Sequence, residues 1–141
     1  MMISPDVFLD ELKANEVNFF VGVPDSLMKG LNYQISNSCS SDEHVITSNE
    51  GSAVAHAIGH FAATEKLAAV YMQNSGLGNA INPLTSMSSK YVYDIPLMLM
   101  IGLRGDPKLN AEDEPQHKQM GKITLKLLEL LEIEYLYIDQ F

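Results

Sequence analysis

The sequence contains no tryptophan, only one cysteine and only nine basic residues among its 141. A lone Cys39 excludes an internal disulfide. Eighteen acidic residues give a formal net charge of −9, which argues against nucleic-acid binding because proteins that bind phosphate backbones cluster lysine and arginine. No apolar run approaches the length of a membrane span, and no basic signal-peptide start is present. These deficits predict a cytoplasmic protein that binds neither nucleic acid nor a membrane.

What remains is an ordinary globular composition, 46% hydrophobic and 19% charged, in a length that suits one domain. Apolar runs alternate with segments of helical periodicity. The predicted strands are 17–21, 44–48, 67–72, 96–101 and 135–138. The predicted helices begin at Ser4-Pro5-Asp6 and include 27–35, a small-residue helix ending near Thr64, 80–88 and 123–131. Because strands alternate with helices and no hairpin turn separates them, the pattern predicts an α/β fold, a parallel sheet with helices on both faces.

Polar segments follow four of the predicted strands. They are GVPDS, SNEGS, QNSGLGN and a long loop over 102–121 that starts GLRGD. In an open parallel sheet, ligands bind beyond the carboxyl ends of the strands. We therefore expect these four segments to gather at one edge of the sheet. The strand at 96–101 is continuously apolar, which is typical of a strand buried on both faces.

Glu50 stands at the mouth of an otherwise apolar helix. Thr47-Ser48-Asn49-Glu50 matches a capping box, in which Thr47 and Glu50 would bind two unpaired backbone N–H groups. Alternatively, Glu50 serves a ligand, since the small residues after it leave room for a flat molecule to approach the backbone. The residues alone leave both interpretations open.

The Gly-rich segment 73–84 resembles half of a dinucleotide fingerprint. Gly76 and Gly78 supply G-x-G, but the third glycine would fall at Ile81, and no Walker motif follows. A tight strand-to-helix turn that needs glycine for its backbone conformation is the better explanation of these residues. A nucleotide-binding Rossmann domain remains an alternative.

No metal site is predicted from the histidines of the small-residue helix. His56 and His60 share a helix face, but Ala57 stands where zinc hydrolases of the H-E-x-x-H type have glutamate. The loop over 102–121 contains a further histidine among cations, at Arg104, Lys108, His117 and Lys118. Such a group at the ligand edge would suit an anionic substrate, whereas its composition also fits a solvated surface loop.

Four segments, in order, resemble one enzyme family. They are GVPDSL, HVITSNEGSAVAHAIGH, VYMQNSGLGNAINPLTS and IGLRGDPKLNAEDEPQHKQMGKIT. They are similar to the pyrimidine-binding domain of phosphonopyruvate decarboxylases and of the related sulfopyruvate decarboxylases, which use thiamine diphosphate. The resemblance spans 21–133 and implies a 2-keto acid decarboxylase that converts phosphonopyruvate to phosphonoacetaldehyde and CO2. The alternatives are a sulfopyruvate decarboxylase alpha subunit and a non-catalytic assembly domain of the same fold.

The resemblance also implies roles for individual residues. Glu50 matches the glutamate that binds the aminopyrimidine ring of the cofactor; a carboxyl group in apolar surroundings favours its protonated form and can donate to a ring nitrogen. Asp25 and His117 resemble residues on the substrate side of the cofactor that take part in proton transfer. The glycines and amide expected to shape the loop beside the cofactor are Gly76, Gly78 and Asn79. The cations expected to bind the phosphonate or sulfonate are Arg104, Lys108 and Lys118.

In this family a second domain holds the diphosphate and Mg²⁺ with a Gly-Asp-Gly motif. Here Gly105-Asp106 is followed by Pro107. We therefore expect residues 1–141 to form a single pyrimidine-binding domain that contributes no metal ligand, the diphosphate- and metal-binding domain being absent from this chain. The implied partner is a beta subunit or a C-terminal domain, in a homo-oligomeric or α/β assembly that acts on a small anionic 2-keto acid. Activity is expected only with that partner.

Overall fold

The computed structural model describes residues 3–109 and 112–138. Its helices and strands are α1 (Pro5–Ala14), β1 (Phe19–Gly22), α2 (Lys29–Ser38), β2 (His44–Ile46), α3 (Glu50–Thr64), β3 (Ala68–Gln73), α4 (Leu77–Pro83), β4 (Met98–Gly102) and α5 (Pro115–Leu130). A 3-10 turn over Asn74–Gly76 leads into α4, and a π-helical turn over Leu84–Ser88 follows it. None of these helices is long and apolar enough to cross a membrane.

All four strands are parallel and stand in the order β2-β1-β3-β4. Gly22 at the end of β1 pairs with Ile46 of β2 and with Tyr71 of β3, and Gln73 pairs with Gly102 at the end of β4. The carboxyl ends of the strands therefore share one edge. The predicted α/β fold with a parallel sheet is confirmed, and so is the gathering of the post-strand segments.

The core has two layers because helices cover both faces of the sheet. Successive strand residues point to opposite faces, so Val70 and Met72 of β3 pack with α3, α4 and Leu128 of α5. Ala69 and Tyr71 face the other way and pack with residues of α1 and α2. This double covering explains why the central strand is apolar at nearly every position.

Three predicted segments have different structures from those expected. The QNSGLGN loop is mostly helical, forming the 3-10 turn and the start of α4. The loop predicted over 102–121 is shorter than expected, because α5 begins at Pro115 and proline is well suited to the first turn of a helix. His117 and Lys118 therefore lie on α5. Residues 110 and 111 of that loop are outside the described ranges. The segment 135–138 forms no strand, since no neighbouring strand pairs with it in the part that the structure describes.

β4 is packed on both faces, as expected, but it is less completely buried than its continuous apolar run predicted. β4 is an edge strand of the sheet, and Met98, Leu99 and Ile101 are only half-buried. A cavity of about 910 Å³ lies beside it and is lined by β4 together with residues 131–138. β4 is therefore accessible along its outer edge, because no strand pairs with that edge in the described part of the chain.

Candidate functional site

Asn49, and not Thr47, caps the helix that begins at Glu50. The Asn49 side chain accepts a hydrogen bond of 2.9 Å from the Ser52 N–H, as expected of an N-cap residue. The Thr47 hydroxyl instead donates to the backbone oxygen of Asn49 at 3.0 Å. The capping-box interpretation is therefore wrong, because Thr47 lies two residues before the position that caps the helix. The Glu50 carboxylate is left without a capping role.

The Glu50 carboxylate lies across the gap between α3 and α4. Its Oε2 accepts a hydrogen bond of 2.8 Å from Asn79 Nδ2. Its other oxygen rests on Gly76, where an added methyl group would overlap the carboxyl group. A methyl group on Gly51 would lie 2.7 Å from the Asn79 backbone oxygen. Gly51 thus allows α3 and α4 to approach closely, and Gly76 leaves room for the Glu50 carboxyl group beyond the strand ends.

Asp25 is the most buried acidic side chain in the described part of the chain, with 4% of its surface exposed. Its Oδ2 accepts from the Leu27 N–H at 3.2 Å and lies so close to Gly102 that a side chain there would overlap it. Its Oδ1 accepts no hydrogen bond from the described residues. Burial raises the pKa of the Asp25 carboxyl group, although the Leu27 N–H and the charge of Arg104 act in the opposite direction. The Asp25 carboxyl group therefore keeps its proton to a higher pH than an exposed aspartate does.

Arg104, Asp113 and His117 form a cluster beyond the end of β4. Arg104 Nη2 donates to Asp113 Oδ1 at 3.0 Å, and His117 Nδ1 lies 2.6 Å from the same oxygen. Arg104 Nη1 donates to the Ser26 hydroxyl at 2.9 Å, which links the cluster to the residue after Asp25. The hydrogen bond from His117, followed by those from backbone N–H groups and Arg104, holds the pKa of Asp113 well below its usual range. The structure thus brings together two of the predicted site residues, Arg104 and His117, with Asp113 as their common acceptor.

Asn74 holds this cluster against the sheet. It is completely buried; its Nδ2 donates to the Arg104 backbone oxygen and to the Thr124 hydroxyl, both at 3.0 Å. Its Oδ1 accepts from the Arg104 N–H at 3.2 Å. Neither Asn74 nor Asp113 was predicted from the sequence to belong to the site. The available signals were the position of Asn74 directly after a buried strand and the four-residue spacing of Asp113 and His117.

The remaining candidates lie apart from these contacts. Lys108 Nζ lies 4.1 Å from the centre of the Tyr137 ring. Lys118 is exposed on α5. Gly78 is exposed on α4, and a side chain there would meet no atom within 4 Å. The structure therefore does not bring Lys108, Lys118 or Gly78 into contact with Glu50 or Asp25.

The two histidines of α3 have separate surroundings. His60 stacks on Phe19 with ring centres 4.4 Å apart, and burial lowers its pKa. His56 is exposed, and its Nδ1 lies 2.8 Å from the Ser52 backbone oxygen. Across residues 3–109 and 112–138, no group of three or more His, Cys, Asp or Glu side chains could hold a metal ion.

Curated relatives of two kinds match most of the chain. Phosphonopyruvate decarboxylase of Streptomyces viridochromogenes is 38% identical over 120 residues, which are 84% of this chain and 28% of that protein. Sulfopyruvate decarboxylase subunit alpha of Methanococcus maripaludis is also 38% identical over 120 residues, 84% of this chain and 67% of the subunit. The chain therefore spans less than a third of the first relative and about two thirds of the second.

Solved structures share the fold. Benzoylformate decarboxylase of Polynucleobacter necessarius superposes with a TM-score of 0.63 and 24% identity, over 88% of this chain and 23% of that one. A thiamine diphosphate-dependent 4-hydroxybenzoylformate decarboxylase of Rhodococcus jostii gives a TM-score of 0.60 and 19% identity, over 86% and 23%. At these identities the likeness shows the fold alone.

The N-terminal TPP-binding domain family of thiamine pyrophosphate enzymes matches residues 4–126. That match includes the Glu50 site and the Arg104–Asp113–His117 cluster. It confirms the resemblance that the four loop motifs indicated. By this match over most of its length, the chain belongs to the family of N-terminal TPP-binding domains of thiamine pyrophosphate enzymes.

Proposed function

We propose that this chain is the pyrimidine-binding part of a thiamine diphosphate-dependent 2-keto acid decarboxylase, with phosphonopyruvate as substrate and phosphonoacetaldehyde and CO2 as products. The observation that carries the proposal is the Glu50 carboxylate, which has no capping role and is held by Asn79 at the carboxyl edge of the sheet. The relatives named phosphonopyruvate decarboxylase support the choice of substrate.

The surroundings of Glu50 suit the flat pyrimidine ring of thiamine diphosphate. Glu50 is half-exposed, so its carboxyl group remains partly accessible to a ligand. When bound, the cofactor supplies the electron sink for the carbanion left by decarboxylation. In this proposal Glu50 hydrogen-bonds a ring nitrogen and holds a proton there, while Gly76 and Asn79 keep its side chain in place.

The metal-binding part belongs to a partner in this proposal. The described residues offer no cluster of metal ligands, which supports placing the Mg²⁺ and the diphosphate on a beta subunit or a C-terminal domain. Residues 1–141 would then act as one pyrimidine-binding domain within a homo-oligomeric or α/β assembly. The cytoplasmic location predicted from composition is part of the same proposal.

Asp25 and His117 are proposed to exchange protons on the substrate side. Burial favours the protonated form of Asp25, which is therefore suited to donate a proton to a developing anion. Arg104 is already bound by Ser26 and Asp113, so its guanidinium offers a phosphonate or sulfonate only its remaining N–H groups.

Lys108 and Lys118 make fewer interactions with the described residues than Arg104 does. Lys108 and Lys118 are exposed, and in this proposal their positive charge attracts the anionic 2-keto acid. Because exposed charges interact weakly at physiological salt, they would act more on the rate of substrate capture than on chemistry.

The proposal is tested by co-expressing the chain with a candidate metal-binding subunit and measuring CO2 release from phosphonopyruvate and sulfopyruvate. We expect turnover of phosphonopyruvate, and Glu50→Gln should lower kcat by about 10²-fold or more, since that is the usual scale of a lost proton-transfer group. Glu65→Gln, at the other end of α3, is the matched control and should change little. Failure to turn over either substrate would refute the reaction, and activity independent of Glu50 would favour a non-catalytic assembly domain.

Sulfopyruvate decarboxylation is the second candidate. It is supported by the alpha subunits of sulfopyruvate decarboxylase, of which the chain spans a larger share than of the phosphonopyruvate decarboxylases. Sulfonate and phosphonate are both tetrahedral oxyanions and differ mainly in charge. A higher kcat/KM for sulfopyruvate in the same assay would decide for this alternative.

A further inference from the structure

Asp113 connects two groups of the proposed substrate side. We propose that Asp113 is a positioning residue, which fixes His117 with its proton on Nδ1 so that Nε2 remains free to exchange a proton, and which clamps Arg104 beside it. The contribution to turnover rests on the proposed function; the arrangement of the side chains does not.

The hydrogen bonds at Asp113 determine which nitrogen of His117 carries the proton. Asp113 Oδ1 lies 2.6 Å from His117 Nδ1 and also accepts from Arg104 Nη2 at 3.0 Å and from the Glu114 N–H at 2.8 Å. Asp113 Oδ2 accepts from the Gly105 N–H at 3.0 Å. An ionised carboxylate can only accept, so the proton between it and His117 belongs to Nδ1. In the neutral ring Nε2 is then an acceptor.

Partial burial strengthens this cluster. The side chains of Arg104, Asp113 and His117 are 24%, 15% and 17% exposed. Charge-assisted hydrogen bonds are roughly twice as strong as neutral ones, and screening by salt is weaker here than at an open surface. The carboxylate is therefore able to impose one ring orientation on His117.

The backbone between β4 and α5 holds the cluster at short range. Gly105 adopts a left-handed φ of 66°, and a methyl group there would overlap the His117 backbone oxygen. Gly121 on the next turns of α5 faces the Gly105 backbone just as closely. Without side chains at these glycines, the loop lies directly on α5, which places Arg104 and His117 on the same carboxylate.

The tautomer can be measured on the 141-residue chain itself by ¹⁵N NMR of its histidine side chains, of which there are four. At about pH 9, where imidazoles are ordinarily neutral, His117 should carry its proton on Nδ1; a His117→Ala spectrum assigns the signal. Asp113→Ala should move the main population to Nε2–H, whereas the control Glu114→Ala, an adjacent exposed carboxylate, should not. If Asp113→Ala does not fold, Asp113→Asn should shift the population in the same direction by a smaller amount.

A double-mutant cycle in the assembled enzyme separates positioning from a merely structural role. Asp113→Ala should lower kcat by about 10-fold or more. The kcat of the double variant, Asp113→Ala with His117→Ala, should lie within about threefold of the kcat of His117→Ala alone, because the effects of residues that act through one another are not additive. Additive losses, a wild-type His117 protonated on Nε2, or a tautomer unaffected by Asp113→Ala would each overturn the inference. An assembled wild-type enzyme that decarboxylates neither substrate would refute the proposed function, and the NMR result would still decide the role of Asp113.

Discussion

Replacing each glycine of Gly76-Leu77-Gly78 by alanine tests the placement of Glu50 directly. Gly78 lies on the exposed side of α4 with free space around it. Alanine in a helix is about 1 kcal/mol more favourable than glycine, so Gly78→Ala should stabilise the fold by about 0.5–1 kcal/mol. Gly76 also has a negative φ, −74°, so the backbone gain is available there as well.

Gly76→Ala should nevertheless be less stable than Gly78→Ala. A methyl group at Gly76 would overlap the Glu50 carboxyl group, so the side chain must move and its 2.8 Å hydrogen bond with Asn79 is lost. A hydrogen bond to a charged group contributes about 1.5–3 kcal/mol. Because Glu50 is half-exposed, we reduce that contribution to about 1–2 kcal/mol. The two variants should therefore differ by this amount, or about 3–8 °C in Tm.

Urea unfolding followed by circular dichroism measures both variants in the wild-type and Glu50→Ala backgrounds. Without the carboxyl group, Gly76→Ala should become as stabilising as Gly78→Ala, since the overlap that penalises it is gone. Equal stabilities of the two variants in the wild-type background would refute the contact between Glu50 and Gly76. A penalty that persists with Glu50→Ala would place the clash elsewhere.

Two further predictions concern the Asp25 and Asn74 sites. Asp25→Asn should raise Tm at pH 7. Burial raises the pKa of the Asp25 carboxyl group in the folded chain, so the ionised carboxylate destabilises the fold above that pKa. The gain in Tm of the variant over the wild type should therefore disappear as the pH falls towards the ordinary carboxyl range. A Tm difference that is constant from pH 4 to pH 7 would contradict this. Asn74→Ala should destabilise the chain by about 1–3 kcal/mol in urea unfolding, because the Arg104 C=O group and the Thr124 hydroxyl lose their bonds from Asn74 Nδ2, and the Arg104 N–H keeps only the Gly102 backbone oxygen as acceptor. Asn82→Ala, at an exposed position, is the control, and equal effects of the two substitutions would contradict the buried role.

Local order along the chain was predictable because it depends on near neighbours. The alternation of apolar runs with helical periodicity indicated the parallel α/β sheet, and α3 ends at Thr64 as the small-residue pattern suggested. The positions of GVPDS and SNEGS after predicted strands placed Asp25 and Glu50 at the ligand edge. Family motifs then gave their proposed roles.

Some local features, such as the residue that caps α3, could not be predicted because more than one nearby residue suited the same role. Thr47 and Asn49 are both good capping residues, and only the backbone conformation shows that Asn49 caps α3. The segment 135–138 has the β-branched and aromatic residues of a strand, but strand propensity mainly reflects packing against neighbours. Such choices depend on what surrounds the segment.

By itself the sequence determined the alternation of four parallel strands with helices and the positions of Asp25 and Glu50 after β1 and β2, since helical and strand periods and the turn residues act within a few positions. Only the tertiary structure decided which of those side chains meet. Glu50 bonds Asn79 across 29 positions, and Arg104 bonds Ser26 across 78. These partnerships exist because parallel strands bring distant loops together and because Gly76 and Gly105 let backbone and side chains approach closely. Asp113 became visible as a common acceptor in the same way, through packing that no local pattern encodes.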